Sequence, residues 1–172
     1  MNQNLDFALK YIFPNEGGFT NDLNDPGGPT NWGVTVDEWE VFFNKRLTAD
    51  DVKNATYEDA INVYLNHYWL PVGLDSITDK YKACAIFDQC VNRGISKGTE
   101  IAVTAVNMTK NHVSFSPDQI AAINACDRIG FILKFASIAR ASYLHLLAQP
   151  RFAKYAHGWL NRAERLKTLA VL

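Results

Sequence analysis

The sequence predicts a mainly helical α+β fold: a set of short helices around one turn-rich loop that carries a small β-hairpin. Three observations predict it. Cap-like pairs recur along the chain, with Thr35 and Glu38, Thr56 and Asp59, Ser76 and Asp79, and Ser116-Pro117 with Gln119 each placing an acid or amide three residues after a hydroxyl. Residues 19–34 are dense in Gly, Pro, Asn and Asp, the residues of turns. Elsewhere the apolar residues fall at the spacing of one helix face. At 172 residues, 48% hydrophobic and 20% charged, the composition is that of a globular chain and excludes a disordered or membranous one. The length allows one domain or two small lobes sharing a core.

The first helix is expected from about Asn4 to Asn15, with Leu5, Ala8, Leu9, Ile12 and Phe13 facing inward, Pro14 distorting its last turn and Gly17-Gly18 ending it. The turn-rich segment follows. In 56–69, Ile61, Tyr64, Leu65 and Tyr68 mark one helical face. A helix over about 76–93 places Ile77, Tyr81, Cys84 and Val91 on one stripe, with Asp88 set into it. Residues 126–148 are apolar nearly all round, but Arg128, Lys134 and Arg140 interrupt a membrane span, so a buried central helix is expected. Residues 151–171 read as one or two basic amphipathic helices, with Trp159 in the core.

Charge is uneven. Residues 1–92 hold 6 Lys/Arg against 14 Asp/Glu, whereas residues 128–172 hold 8 Lys/Arg against Glu164 alone. A basic C-terminal surface including Arg151, Lys154, Arg162 and Lys167 suits an anionic partner such as the cell envelope, or is simply a solvated helical face. Three cysteines exclude a disulfide framework and read as buried free thiols. The N-terminus has no basic start and apolar run, so no secretory signal peptide is expected.

Chemistry concentrates at residues 16–34. Glu16 falls at a helix end, where backbone carbonyls disfavour a carboxylate and raise its pKa toward that of a general acid. Asp25 and Thr30 follow in a loop able to fold back opposite Glu16 and hold a water, as inverting glycoside hydrolysis requires; alternatively, Asp25-Pro26-Gly27-Gly28 is only a turn. An EF-hand beginning at Asp22 fails, because position 5 is Pro26 and position 12 is Gly33. His67, His112, His145 and His157 form no metal motif, and no GxSxG, Walker or dinucleotide fingerprint is present. A cysteine nucleophile has no local motif behind it.

The segment EGGFTNDLNDPGGPTNWGVT at 16–35 resembles the E-G-G-(aromatic)-x-N-D-x-x-D-x-G-G-x-T-x-x-G signature of glycoside hydrolase family 108, the N-acetylmuramidases. FDQCVNRG at 87–94 resembles that family's F-D-x-x-V-N-x-G segment, and HGWLNRAERL at 157–166 the G-W-x-x-R element of its C-terminal peptidoglycan-binding region. Leu23 stands where proline is frequent and Trp32 where tyrosine is. The resemblance implies a lysozyme-like fold, a catalytic lobe at 1–94 and a helical peptidoglycan-binding lobe packed on it at 95–172. It implies cleavage of the β-1,4 bond between N-acetylmuramic acid and N-acetylglucosamine without a cofactor or metal. Glu16 matches the catalytic acid, and Asp25 and Thr30 match the later acid and threonine, resembling the Glu/Asp/Thr set of phage lysozymes.

Phe19, Asn21, Trp32, Asp88 and Asn92 are the candidate substrate contacts. Asp88 has a second reading, as a buried anchor pinning the catalytic loop to its helix. The expected setting is phage lysis or wall remodelling during export. The enzyme would be made in the cytoplasm and reach the wall through a holin, an export system or lysis. A catalytically idle wall-binding module is the alternative. Nucleic-acid binding by the basic helices has no recognition motif behind it, and the front half is acidic.

Overall fold

The computed structural model describes residues 3–13, 18–21, 28–110 and 112–172. The chain is mainly α-helical with a small β element, as expected. α1 (Gln3–Ile12) buries Leu5, Ala8, Leu9 and Ile12. The expected helix end at Pro14, Asn15 and Gly17 lies outside the described residues. After the hairpin, α2 (Val36–Phe43), α3 (Ala49–Asn54) and α4 (Tyr57–Tyr64) follow in quick succession.

Local chemistry sets most of these boundaries. The Glu38 carboxylate accepts from the Thr35 amide at 2.9 Å. Thr56 with Asp59 and Ser116 with Gln119 form reciprocal capping boxes. Thr48 and Asp51 form another ahead of α3. Ser76 caps no helix: it ends a 3-10 turn (Leu74–Ser76), and Asp79 itself caps α6 (Lys80–Arg93), accepting from the amides of Tyr81 and Lys82. The helix expected over 56–69 widens into a π turn at Leu65–Trp69 before α5 (Leu70–Val72). Pro71, with no amide proton, cannot continue the regular ladder, and the Leu70 amide reaches back five residues to the Leu65 carbonyl.

α6 is the central helix, burying every residue from Lys82 to Cys90. α1, α7 (Ile95–Ala105) and α9 (Arg128–Leu147) pack around it. α1 runs beside α6 in the same direction: Asn4 bonds the Ile77 carbonyl, Phe7 meets Tyr81, and Tyr11 lies in the field of Cys84 and Asp88. The α6–α7 contact is close enough that a Cβ on Gly98 would lie 2.5 Å from Cys90 Sγ and 2.6 Å from its backbone nitrogen. The buried central position expected for 126–148 therefore belongs to α6. α9 buries one face (Phe131, Ile132, Phe135, Ala136, Ala139, Tyr143) and leaves Ile129, Leu133 and Leu144 exposed. α10 (Ala156–Leu166), flanked by 3-10 turns at Pro150–Tyr155 and Lys167–Ala170, closes the chain against α9. One hydrophobic core extends from Leu5 to Ala170, across Gly94 between α6 and α7. Among the described residues no helix is long and apolar enough to cross a membrane.

Lys82 is buried within this core, and among the described residues no acid pairs with it. Its ammonium group donates to the carbonyls of Ile123 (2.8 Å), Asn124 (3.4 Å) and Cys126 at the C-terminal end of α8 (Pro117–Ala125). Helix-end carbonyls carry partial negative charge, so the cation replaces the donors that the helix lacks there. Lys82→Met keeps the volume and strands those acceptors. Urea unfolding should show a loss of about 1–3 kcal/mol; undiminished stability would mean the ammonium's own burial costs as much as its bonds return.

Candidate active site

Thr30 opens the two-stranded sheet. β1 (Thr30–Asn31) pairs antiparallel with β2 (Val34–Thr35), Thr30 opposite Thr35 and Asn31 opposite Val34. The connecting residues Trp32 and Gly33 have φ of 55° and 74°, the positive pair that a type I′ hairpin turn requires. Glycine adopts this backbone freely, whereas in a tryptophan it costs about 1–3 kcal/mol. Tertiary contacts hold it there. The indole N–H donates to the Ala55 carbonyl at 3.1 Å, the Tyr64 hydroxyl donates to the Trp32 carbonyl at 2.9 Å, and the ring meets Tyr57 edge-on.

The other edge of β1 is also occupied. Thr20 and Thr30 exchange both backbone hydrogen bonds, at 2.8 and 2.9 Å. Thr30 is thus fixed from two sides, and its hydroxyl donates to the Gly28 carbonyl at 3.3 Å. Phe19 is half-buried beneath the Lys53 ammonium, and Asn21 is exposed. Asn31, buried at the hairpin's root, donates to the carbonyls of Val52 (3.0 Å) and Lys53 (3.2 Å) and so closes the end of α3. Tyr68 donates to Glu38, tying the π turn to the start of α2. Glu16 and Asp25 lie outside the described residues, as do positions 22–27 of the segment considered for calcium. Thr30 and Trp32 lie on the hairpin, and Phe19 and Asn21 flank Thr20, which bridges to it; Asp88 and Asn92 lie elsewhere, on α6.

Asp88 has no exposed surface. Arg162 Nε donates to both carboxylate oxygens at 3.1 Å, Arg165 Nη2 to one at 3.2 Å, and Gln89 Nε2 to the other at 3.0 Å. Asp88 therefore serves as a buried anchor, and among the described residues it pins α10 to α6. Its position offers no surface to a sugar. Asn92, one turn further on, accepts from the Tyr143 hydroxyl at 2.6 Å. Asn92 lines a cleft of about 410 Å³ together with Gly158, Trp159, Asn161, Arg162 and Arg165. Trp159, expected in the core, is a half-buried wall of that cleft, stacked between Tyr143 and Tyr155.

The basic C-terminal surface is smaller than its charge count. Arg162 and Arg165 turn inward to Asp88, so Arg162 does not belong to an outward-facing set. Lys167 and Arg140 pair with Glu164, and Lys134 donates to Asn107. Arg151 and Lys154 remain exposed over aromatic rings. Burial pushes the thiols of Cys84 and Cys90 up, away from thiolate chemistry. Among the described residues no group of three His, Cys, Asp or Glu is placed to hold a metal ion.

The family model for Glycosyl hydrolase 108 matches residues 9–94, half of the chain, and the chain belongs to that family. It is a glycoside hydrolase, and membership supports peptidoglycan as the polymer it hydrolyses. The structure of Brucella abortus SagA is similar over 97% of this chain and 93% of its own, with a TM-score of 0.82 at 22% identity, which establishes the shared fold. Comparison with curated protein sequences gives no match.

The residues that hold the hairpin and the cleft (Asn31, Tyr64, Glu38, Arg162, Arg165) were not singled out as site residues by sequence. Only Arg162 carried a signal, as the last residue of G-W-x-x-R. Asn31→Ala should lower stability by about 1–3 kcal/mol, because it removes the donor shared by the carbonyls at the end of α3. It should also loosen Thr30, so hydrolysis should fall further than the folded fraction does. Activity tracking the folded fraction alone would separate the hairpin's root from catalysis.

Proposed function

We propose that the chain is an N-acetylmuramidase that cleaves the β-1,4 bond between N-acetylmuramic acid and N-acetylglucosamine, with Glu16 as general acid. The observation that carries this reading is the 16–34 motif inside the matched family region, with its threonine fixed at both edges of the hairpin. Thr20 and Thr30 tie together the two chain segments that lead into and out of residues 22–27, where Asp25 falls in sequence. On this reading Glu16 protonates the leaving oxygen, while Asp25 and Thr30 orient the attacking water. Residues 1–94 form the catalytic part and 95–172 the wall-binding part. Phe19, Asn21, Trp32 and Asn92 contact the glycan. A direct attack by water inverts the anomeric centre and calls for carboxyl groups roughly 6.5–9.5 Å apart. The rival, an idle wall-binding module, would lack this chemistry altogether.

Glu16→Gln keeps shape and hydrogen-bonding reach but cannot supply a proton. Muropeptide release from purified sacculi should fall by about 10²–10⁴-fold while sacculus binding persists. Thr30→Ala and Asp25→Asn should lose less. The first product on a soluble oligomer, read by NMR before mutarotation, should be the α-anomer. Full activity in Glu16→Gln would sink the catalytic assignment, and initial β-anomer would mean retention.

A further inference from the structure

The 3-10 turn that joins α9 to α10, Pro150–Tyr155, has no buried residue. In such a turn side chains three apart eclipse one another. Arg151 and Lys154 therefore form one row, and Phe152 and Tyr155 the next. The aromatic row rests on Trp159, whose ring centroid lies 5.7 Å from that of Phe152 and 5.2 Å from that of Tyr155. Trp159 is in turn stacked on buried Tyr143 at 5.5 Å, so the row is fixed to the body of the fold. The cationic row leans over the aromatic one. The Arg151 guanidinium lies 4.6 Å from the Phe152 ring, and the Lys154 ammonium lies 4.9 Å from that of Tyr155. Tyr155 keeps 43% of its surface exposed. The turn is thus a supported ledge that presents two cations beside a partly exposed aromatic row.

The charge of the ledge is not answered from within the chain. Among the described residues Arg151 and Lys154 meet rings and form no ion pair. The sequence holds no Asp or Glu from Arg128 to Ala163, and Glu164, which follows, is directed to Arg140 and Lys167. The acids are gathered at the other end, 14 of them against 6 Lys/Arg over residues 1–92. A chain polarised in this way is drawn to an anionic surface by its C-terminal part and turned away from it by its front half. Of the four basic residues that charge alone singles out, Arg162 and Lys167 are engaged by Asp88 and Glu164, which leaves Arg151 and Lys154 to meet a partner.

Cations alone suit any polyanion, but a row of aromatic rings laid beside them suits the boundary layer of a bilayer. Lys and Arg are attracted there by anionic lipid, and amphipathic rings sit at headgroup level. We propose that the ledge docks the protein peripherally on the anionic headgroup surface of a lipid bilayer, with Arg151 and Lys154 on phosphate groups and Phe152 and Tyr155 seated beside them. The inference does not depend on the muramidase reading.

The test is co-sedimentation of the full-length chain with vesicles, one set of phosphatidylcholine alone and one rich in phosphatidylglycerol. At low salt, partitioning should favour the phosphatidylglycerol vesicles about thirtyfold, the scale of two cations at an anionic surface, and the preference should shrink as salt is raised. Arg151→Gln combined with Lys154→Gln should abolish the preference. Removal of the same charge elsewhere, by Lys10→Gln with Arg46→Gln, should leave most of it, since those cations are paired with Asp6 and Glu40. Tyr155→Ser should weaken the binding that survives at high salt. Equal partitioning between the two vesicle sets overturns the proposal, and so does an Arg151/Lys154 variant that partitions like the Lys10/Arg46 variant. Sacculus binding that is lost in the Arg151/Lys154 variant, with no vesicle preference in the parent, would assign the ledge to the wall and overturn the lipid assignment.

Discussion

A carboxylate without solvent contact sits at the middle of this fold, and its two guanidinium partners come from a helix 74 and 77 residues further along the chain. A buried charge is tolerated only when paired and hydrogen-bonded, and removal of one partner costs far more than the pair contributes. Asp88 therefore fixes where α10 lies on α6. Several features follow from that placement. Trp159 is brought against Tyr143, Tyr143 reaches Asn92, and the cleft takes its walls from both helices. The segments FDQCVNRG and HGWLNRAERL meet through this contact, so the matched family region and the part beyond it share one packed centre.

The hairpin follows the same logic on a smaller scale. Its turn places a tryptophan where glycine or asparagine is cheaper, and the strain is offset by bonds to α3 and α4. Thr30 then has backbone partners on both sides. On the proposed mechanism Thr30 orients a water, and that task needs such a rigid support, because small displacements lose most of the benefit of orientation. The π turn contributes at a distance: Tyr64, one residue ahead of it, holds Trp32, while Tyr68 within it holds Glu38.

Much of the helical framework was legible because its signals are local. Thr35 with Glu38, Thr56 with Asp59 and Ser116 with Gln119 act within one turn of backbone, where no tertiary contact is needed. Ser76 was misread because Asp79, three residues on, is itself a cap and wins by bonding two amides. The apolar content of 126–148 could not say which face meets the core; Ile129, Leu133 and Leu144 are as hydrophobic as the buried residues beside them. Charge counting failed at Arg162 for a related reason, since composition carries no direction. The turn residues of 19–34 pointed to the hairpin that holds Thr30, whereas the guanidinium partners of Asp88 lie 74 and 77 residues further along the chain and leave no local signal.

The placement of α10 by Asp88 is best tested by a double-mutant cycle on unfolding free energy, using Asp88→Asn, Arg162→Gln and the pair. Asp88→Asn should cost about 3–5 kcal/mol, since it takes from two inward-facing guanidiniums the carboxylate they share, and Arg162→Gln about 2–3 kcal/mol, since Arg165 still pairs with Asp88. The double variant should lose little more than Asp88→Asn alone, with a coupling of about 2 kcal/mol. Additive losses, or single variants as stable as the parent, would contradict the view that this ion pair holds the two halves of the chain together.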